Sequence, residues 1–240
     1  MTVEYPGMRG GYLLLLQRSG AFHLSSSRHE LVVDPTVSVF GRAGEPADIA
    51  HPYGQGDCAT YVVLSDEVFD ALGGADRSVP GVVAATGLVT RLHQQLLRLL
   101  SPVGSGMAVE DAAIGVFVAA LSGADARQYP TSLGGRRQEQ VVDHARGLLA
   151  ADPTVDSLVH LSRTVGCSPH HLSRLFHQYT GKTLVRYRLE LRVHQALERM
   201  RDPDVSLAQV AADAGFADHA HLTRSVRQLL GTTPSELRHG

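Results

Sequence analysis

The spacing of apolar residues along this chain of 240 residues changes near residue 88. Between residues 11 and 65, short apolar runs such as YLLLLQ, AFHLS, ELVV and CATYVVL alternate with turn signals such as Asp34-Pro35. Runs of this length and spacing predict antiparallel strands in a small sandwich or barrel. From residue 88 onward the apolar positions follow the period of a helix instead.

Two apolar helices are predicted next. In LVTRLHQQLLRLL, residues 88–100, the leucines share one helical face: Leu88, Leu92, Leu96, Leu99 and Leu100. The second helix, VEDAAIGVFVAAL at 109–121, is more apolar. Such helices cover an open sheet edge or pair with a second subunit, and the pattern leaves both options open.

A stretch without periodicity separates these helices from the C-terminal part. Residues 122–138, SGADARQYPTSLGGRRQ, mix Gly, Ser, Pro and Arg, which is typical of a linker. Beyond it, helices are predicted near 138–150, 155–163, 168–178, 182–200, 206–213 and 218–229, with a short turn after Pro234. The pattern divides the chain into a region of strands and helices at 1–122, a linker at 123–138 and a helical region at 139–240.

The helical region contains an internal repeat. LSRTVGCSPHHLSRLF at 161–176 aligns with VAADAGFADHAHLTRSV at 210–226. In each copy a short helix ends at a glycine, Gly166 or Gly215, and a capping residue, Ser168 or Asp218, precedes a helix with Leu-(Ser/Thr)-Arg. Each copy predicts a helix-turn-helix unit, and two copies joined by one long helix are a far more specific signal than one.

The residue types explain what each unit does. Glycine accepts the left-handed backbone of the sharp turn, the capping side chain satisfies free N–H groups, and Pro169 suits the first helical turn. Leu172, Leu175 and Phe176 are predicted to pack inward. The outer face keeps short polar side chains and arginine, which suits a helix in the major groove of DNA.

Residues from about 140 to 238 resemble the DNA-binding domain of the AraC/XylS family of transcription regulators. The resemblance rests on GCSPHHLSRLF at 166–176, TGKT at 180–183, Gly215-Phe216 and GTTPSELR at 231–238. Val226 stands where the family usually has Phe, and Leu237 where it usually has an aromatic residue. The N-terminal region resembles, less closely, the cupin-like sensor domain of such regulators.

This resemblance implies an α+β protein of two domains. A small, cupin-like β-barrel with two helices is expected at 1–122, and an all-α domain with two helix-turn-helix units joined by a long helix at 139–240. The expected function is sequence-specific binding to double-stranded DNA, with two recognition helices in successive major grooves. RNA polymerase is a further expected partner, and an unknown small molecule is the expected effector. Activation is the commoner role in such regulators. The expected assembly is a homodimer that forms through helices 88–121.

The resemblance also assigns site residues. Base contacts are expected from the outer face of each recognition helix, and phosphate contacts from the residues around the starts of the following helices. The base-contacting set is His170, Ser173 and Arg174 in the first unit, and His219, Ala220, Thr223 and Arg224 in the second. The phosphate-contacting set is Lys182, Thr183, Arg227, Thr232 and Thr233.

Charge and composition narrow the alternatives. The net charge of the whole chain is −2, but residues 1–135 hold 8 Lys/Arg and 13 Asp/Glu, a balance of −5, while residues 136–240 hold 14 and 11, a balance of +3. The positive C-terminal part fits an anionic partner. Two cysteines cannot build a disulfide framework or a four-cysteine zinc site, and YLLLL at 12–16 is too short to cross a bilayer. We expect a cytoplasmic protein with no membrane association and no cofactor.

Two other classes of function remain as alternatives. A cupin-type metal-binding enzyme or sensor would use histidines of the strand region, of which His23, His29 and His51 are candidates. Metal sites of cupins usually show His-x-His followed by an acid, and HLSSSRHE lacks that spacing, so no metal ligand and no catalytic residue is assigned. A helical protein-interaction module would need apolar outer faces on the repeated helices. These faces are polar, which argues against this alternative.

Overall fold

The computed structural model describes residues 2–3, 10–26, 30–54, 56–73, 79, 81–100, 106–124, 135–155 and 157–239. The N-terminal region begins with strands and ends with helices. Its strands are β1 (Thr2–Val3), β2 (Tyr12–Ser19), β3 (Phe22–Ser26), β4 (Glu30–Val33), β5 (Val37–Arg42), β6 (Ala47–Ala50), β7 (Cys58–Leu64) and β8 (Val82–Ala84). Its helices are α1 (Asp66–Ala71), α2 (Gly87–Leu99) and α3 (Gly106–Ala124).

The C-terminal region is helical, as the sequence predicts. Its helices are α4 (Arg136–Ala151), α5 (Leu158–Thr164), α6 (Pro169–Thr180), α7 (Leu184–Arg199), α8 (Leu207–Asp213), α9 (His219–Leu230) and α10 (Pro234–His239). Helix α3 runs to Ala124 and α4 starts at Arg136, so helical structure reaches into both ends of the predicted linker at 123–138. Residues 125–134 of that linker lie outside the described residues.

The strands form two antiparallel sheets, with the orders β1-β6-β3-β4 and β7-β2-β5-β8. Strand β2 is apolar along most of its length because both of its faces are covered. Leu14 and Leu16 pack with the core under α2 and α3, whereas Leu15 packs with residues of the other sheet. An uninterrupted leucine run is what a strand buried on both faces requires.

The prediction of a small, cupin-like β-barrel with two helices is confirmed only as antiparallel sheets followed by helices, because the barrel is not closed in the described part of the chain. The two sheets remain separate, and α1 is a third helix. Strand β4 is an edge of its sheet, and α4 of the C-terminal region packs against it, with Val32 of β4 in the same core as Val142 and Leu149 of α4. An edge that is covered by a helix needs no barrel closure to protect it.

The apolar face of α2 also differs from the prediction. Its buried residues are Val89, Thr90, His93, Leu96 and Leu97, whereas Leu88 and Leu100 are 48% and 56% exposed. The five leucines therefore do not form one buried face. A polar residue, His93, takes a core position because α2 packs against the C-terminal region as well as against α3.

Helix α3 is apolar but largely uncovered. The stretch Gly106–Gly123 has a mean hydropathy of 1.4, long and apolar enough by length and composition to cross a membrane, and 22% of it is buried. Met107 and Val118 are 75% and 38% exposed. A single helix of this kind is weak evidence for a membrane span, because a helix that pairs with a second protein surface has the same composition.

Candidate nucleic-acid interface

The two repeats of the C-terminal region fold in the same way. Helices α6 and α9 each span twelve residues, Pro169–Thr180 and His219–Leu230. Ser168 accepts a hydrogen bond from the backbone N–H of His171, and Asp218 accepts one from that of His221. Both capping residues named from the sequence therefore begin the helices that they were predicted to begin.

The two units also share the conformation of their turn glycines, although the second turn is one residue longer. The glycines before the two caps, Gly166 and Gly215, have φ angles of 75° and 73°. Gly181 and Gly231 end α6 and α9 in the left-handed conformation, with φ angles of 69° and 74°. Left-handed backbone at these sites favours glycine over any residue with a Cβ atom, which explains the glycine at each of these positions.

The inner faces of α6 and α9 are held by separate cores. Leu172, Leu175 and Phe176 are at most 2% exposed in the first unit. In the second, Leu222 and Val226 are fully buried, and Leu237 is 8% exposed. The smaller residues at 226 and 237 are thus accommodated in a packed core.

The outer faces of α6 and α9 carry the predicted base-contacting residues. The exposed members are His170, Arg174, His219, Ala220 and Arg224, and the half-buried members are Ser173 and Thr223. Each set lies on one 12-residue helix, between its cap and its final turn. Both arginines are therefore placed on accessible helix faces, where a guanidinium can reach a guanine edge or a phosphate.

On the outer face of each of α6 and α9, a histidine lies close to a predicted base-contacting side chain one turn away. Nη2 of Arg174 lies 3.2 Å from Nδ1 of His171, one turn earlier on α6. Oγ1 of Thr223 lies 3.5 Å from Nε2 of His219 on α9. No carboxylate pairs with Arg174 or Arg224 in the described ion pairs, so neither guanidinium has to leave an acidic partner in order to bind DNA.

Four of the five predicted phosphate-contacting residues already interact within the protein. Lys182 forms an ion pair with Glu190. Thr183 caps α7 by accepting from the N–H of Arg186. A phosphate at Lys182 would therefore compete with an internal carboxylate.

The second threonine pair is engaged in the same way. Oε2 of Glu236 accepts from Oγ1 of Thr232 at 2.8 Å and from the backbone N–H of Thr233 at 2.7 Å, and Thr233 caps α10. These bonds lower the pKa of Glu236 to about 2. Both threonines are thus hydrogen-bonded within the protein, whereas Arg227, also a predicted phosphate contact, is exposed on the last turn of α9.

One residue was not assigned as a contact from the sequence. His177 follows Arg174 by three residues on α6, as Arg227 follows Arg224 on α9, and it is exposed. The register of the repeat was the signal that pairs these two positions. His177 is therefore a further candidate for the DNA-facing surface.

The first helix-turn-helix unit is joined to the N-terminal region by a buried ion pair. Oδ2 of Asp34 lies 2.7 Å from Nη2 of Arg146, and neither side chain is exposed. The hydroxyl of Tyr187 donates to the same carboxylate and accepts from Nε of Arg146 at 3.0 Å. Burial raises the pKa of Asp34, but the charge of Arg146 and the hydrogen bonds from Tyr187 and Thr36 outweigh it, so the net shift is downward.

Tyr53 adds a second contact between the N-terminal region and α4. Its ring lies against α4 at Gly147, where an added Cβ would stand 2.0 Å from the ring carbon Cζ. Glycine is unfavourable inside a helix, and its presence here is explained by the close approach of the ring. Burial, with the nearby carboxylate of Asp143, raises the pKa of Tyr53 to about 12.

The second unit is joined to the N-terminal region through α2. An added Cβ at Gly87, the first residue of α2, would stand 2.1 Å from the carbonyl oxygen of Leu229 on α9. At the other end of α2, Arg98 donates to the carbonyl of Leu237. The last turn of α9 is thus in close backbone contact with the start of α2.

Two histidines are buried in the seam between the regions. His93 of α2 is 5% exposed, and its Nε2 has no hydrogen-bond partner; His194 of α7 is 9% exposed. Burial, with the charge of Arg18, lowers the pKa of His93 to about 3, and burial lowers that of His194 to about 4. Both side chains are therefore neutral near pH 7.

The candidates for metal ligands are dispersed. His51 pairs with Asp57 at 3.0 Å, His23 lines an open cavity beside α4, and His29 lies outside the described residues. No group of three or more His, Cys, Asp or Glu that could hold a metal ion occurs in the part of the chain that the structure describes.

Comparison with known proteins finds regulators that are similar to this chain. Residues 161–240 match the family profile of a helix-turn-helix domain. The HTH-type transcriptional regulator GlxA of Rhizobium meliloti is 31% identical over 78 residues, which are 32% of this chain and 24% of that protein. The transcriptional activator NphR of a Rhodococcus species is 27% identical over 169 residues, 69% of this chain and 49% of that protein.

A solved structure gives a similar result. A transcriptional regulator with an AraC-type DNA-binding domain from Chromobacterium violaceum is 28% identical, with a TM-score of 0.41, over 43% of this chain and 94% of that one. The chain spans about a quarter of GlxA and half of NphR.

Proposed function

We propose that this chain is a sequence-specific DNA-binding regulator of transcription of the AraC type, because residues 161–240 match a family profile of a helix-turn-helix domain. Its two recognition helices, α6 and α9, enter successive major grooves, and its N-terminal region controls them. The single observation that carries this proposal is the duplicated geometry of the two units, in which the same capped helix exposes an arginine at equivalent positions, Arg174 and Arg224.

The connecting helix supports the use of both units on one DNA molecule. Helix α7 has 16 residues and is therefore about 24 Å long. Its buried residues include Tyr187, in the core of the first unit, and Val193 and Leu197, in the core of the second. A helix shared by two cores fixes the relative orientation of the two helix-turn-helix units, which simultaneous major-groove contact requires.

Control by the N-terminal region is supported by the two joints described above. The first unit is tied to β4 and its following turn through Asp34, and the second is tied to α2 through Gly87. The N-terminal region therefore contacts both units directly, so a conformational change in it acts on both. We infer regulation by a small molecule through these joints; RNA polymerase remains a further proposed partner.

Dimerisation through α2 and α3 is part of the same proposal. The exposed apolar residues Leu88, Leu100, Met107 and Val118 lie on these two helices, and a second copy of the chain would cover them. Val118→Lys is expected to shift the protein towards the monomer in analytical ultracentrifugation. Val68→Lys on α1, 37% exposed, is the control and should leave the mass unchanged. Equal masses for wild type and Val118→Lys would contradict this interface.

Binding-site selection with the full chain is the experiment that tests the function. We expect an enriched duplex motif with two half-sites about one helical turn, ~34 Å, apart. The affinity should fall steeply with salt, because phosphate contacts release counterions. Absence of any enriched motif at low salt would contradict the proposal.

The role of the recognition helix is tested by one substitution. Arg174→Ala should relax base preference at one step and cost about 1–3 kcal/mol of binding free energy. Arg137→Ala on α4 removes an exposed arginine outside both reading helices and should return the wild-type motif. An unchanged motif for Arg174→Ala would show that this residue does not read a base.

A further inference from the structure

We propose that His177 is a DNA contact of the first helix-turn-helix unit and that its imidazolium form binds a phosphate of the DNA backbone, so that complex formation takes up a proton. This inference deepens the proposed function and rests on it to the extent that the chain binds duplex DNA. The second unit has Arg227 in the equivalent place, and arginine keeps its charge throughout the neutral range. One phosphate contact of the protein therefore depends on pH, whereas the equivalent one does not.

The internal repeat gives His177 and Arg227 the same place in the two recognition helices. Each follows the arginine of its Leu-(Ser/Thr)-Arg motif by three residues, and each is exposed. The backbone geometry agrees with this register. The carbonyl of His177 accepts from the N–H of Gly181 at 2.8 Å, and the carbonyl of Arg227 accepts from the N–H of Gly231 at 2.9 Å. The two side chains thus leave the last turns of α6 and α9 at equivalent points.

His177 also lies between predicted DNA contacts of the first unit. Ser173 precedes it by four residues on α6, so the two side chains are neighbours on one face of the helix. Both line an open cavity of about 270 Å³ between α5, α6 and the start of α7. Thr183, which caps α7 and is a predicted phosphate contact, lines the same cavity. A DNA strand that contacts both Ser173 and Thr183 would therefore pass His177.

The charged groups around His177 are cationic. Arg174 lies one turn earlier on the same helix, and Arg188 of α7 lines the cavity and donates to the carbonyl of Val155 at 2.8 Å. None of the described residues that line the cavity is Asp or Glu, and the rest of this lining is apolar or carries a hydroxyl group. The described chain therefore supplies no counterion for an imidazolium at this place. A DNA phosphate supplies one, and a negative charge close to a histidine favours its charged form.

Proton uptake has two measurable consequences. Histidine is the side chain whose charge ordinarily changes between about pH 5 and pH 8. When a complex takes up one proton on forming, its affinity rises by up to about tenfold for each unit by which the pH falls. A cation that contacts a phosphate also releases a counterion, which makes the slope of log affinity against log salt steeper by about 0.9. Both effects should disappear where the imidazole is neutral.

The test measures the affinity of the full chain for duplex DNA between about pH 6 and pH 8. Two probes are used, the duplex recovered by binding-site selection and a random-sequence duplex at low salt, because phosphate contacts carry no sequence information. At about pH 6 the wild type should bind on the order of three- to tenfold more tightly than His177→Gln, and at about pH 8 the two proteins should bind equally. An affinity ratio that stays constant with pH would indicate a structural role of His177 and would overturn the proposal.

Salt dependence supplies a second readout. At about pH 6 the salt slope of the wild type should be steeper by about 0.9 than that of His177→Gln, and at about pH 8 the two slopes should be the same. His177→Arg should show the steeper slope at both pH values, because the charge of arginine does not titrate in this range. Equal slopes for the wild type and His177→Gln at the lower pH would refute the phosphate contact.

Two variants control for the other histidines of the chain. His144→Gln removes an exposed histidine of α4, outside both recognition helices, and should leave the pH profile of DNA binding unchanged. Arg227→His gives the second unit the side chain of the first. It should weaken binding more at about pH 8 than at about pH 6, since the new imidazole loses its charge at the higher pH. A profile of Arg227→His parallel to that of the wild type would contradict the proposed equivalence.

The two probes distinguish this inference from the proposed function. A chain that selects no motif, but binds the random-sequence duplex with a pH profile that depends on His177, would refute sequence-specific reading and keep the contact. A chain that selects a motif, while His177→Gln keeps the wild-type pH profile with both probes, would refute the contact and keep the proposed function. Binding to neither duplex would overturn both.

Discussion

Replacing Asp34 by Asn tests whether the buried ion pair holds the first helix-turn-helix unit against the N-terminal region. The Asp34 carboxylate accepts from Arg146, Tyr187 and both the backbone N–H and the hydroxyl of Thr36. Asparagine keeps one acceptor and replaces the other with an NH₂ group. If that group faces Arg146, two donors oppose each other, and if it faces Thr36, the bonds that fix the turn are lost.

The size of the effect follows from burial. Neither side chain of the Asp34–Arg146 pair is exposed, and removing one partner of a buried pair typically costs about 3–5 kcal/mol, since it leaves an uncompensated charge. Arg146 keeps a second partner, Asp143, at 2.7 Å, whose side chain is 13% exposed. This remaining contact places the expected loss of unfolding free energy near the lower end, at about 3 kcal/mol.

Urea unfolding of the full chain measures this loss, and Glu30→Gln is the matched control. Glu30 of β4 pairs with Arg136 of α4, so it joins the same two elements, but the two side chains are 47% and 78% exposed. An exposed pair contributes at most about 1 kcal/mol. Equal losses in the two variants would show that burial of Asp34 adds nothing and would refute the reasoning.

The pH dependence supplies an independent check of the same pair. The pKa of Asp34 is lower in the folded protein than its ordinary value of 3.8. Its contribution to stability is therefore fully present above that value and is lost as the pH falls through the folded pKa. The stability difference between wild type and Asp34→Asn should accordingly be constant near neutrality and shrink only below about pH 3.8.

Two further predictions concern the seam between the regions. Gly147→Ala should lower the unfolding free energy of the wild type by about 1–3 kcal/mol, because the new Cβ overlaps the Tyr53 ring. In a Tyr53→Ala background the same substitution should raise the unfolding free energy by about 0.5–1 kcal/mol. A loss of stability in both backgrounds would exclude this contact as the cause. His93 and His194 have folded pKa values of about 3 and 4 against an ordinary 6.5, so the stability that they contribute is present above pH 6.5 and is lost as the pH falls towards those values. Unfolding free energy should drop by about 1.4 kcal/mol per pH unit for each histidine in that window, and a double Gln variant that keeps the full slope would contradict this assignment.

The helix-turn-helix units could be predicted from sequence because their determinants are local. A turn glycine, a cap and an apolar face all lie within one short stretch, and each recurs in the second copy. The capping box Thr233-x-x-Glu236 was equally readable, since a threonine followed three residues later by Glu is a known helix start. This pattern predicts that the Thr233 hydroxyl caps α10, as the structure has it, while the contact of Thr233 with phosphate stays a prediction.

The contacts between the two regions had no such local signal. Asp34 and Arg146 are separated by 112 positions, and a buried arginine in α4 looks in sequence like any charged residue on a solvated helix face. The burial of His93 was hidden for the same reason, since periodicity alone placed the leucines of α2 on the inner face. Pairings of this kind depend on the arrangement of whole elements, which a pattern of single residues does not encode.

The two helix-turn-helix units contact the N-terminal region through interactions of different chemistry, and the two contacts therefore differ in how easily they are broken. The first unit is tied by a buried ion pair at Asp34, which is costly to break, whereas the second meets α2 through the backbone of Gly87 and through Arg98. Contacts of the second kind lose less free energy when two elements slide past each other, because no charge is left buried without a partner. A signal that moves α2 should therefore shift α9 while α6 stays in place, and it should change contacts at one half-site of the DNA before the other.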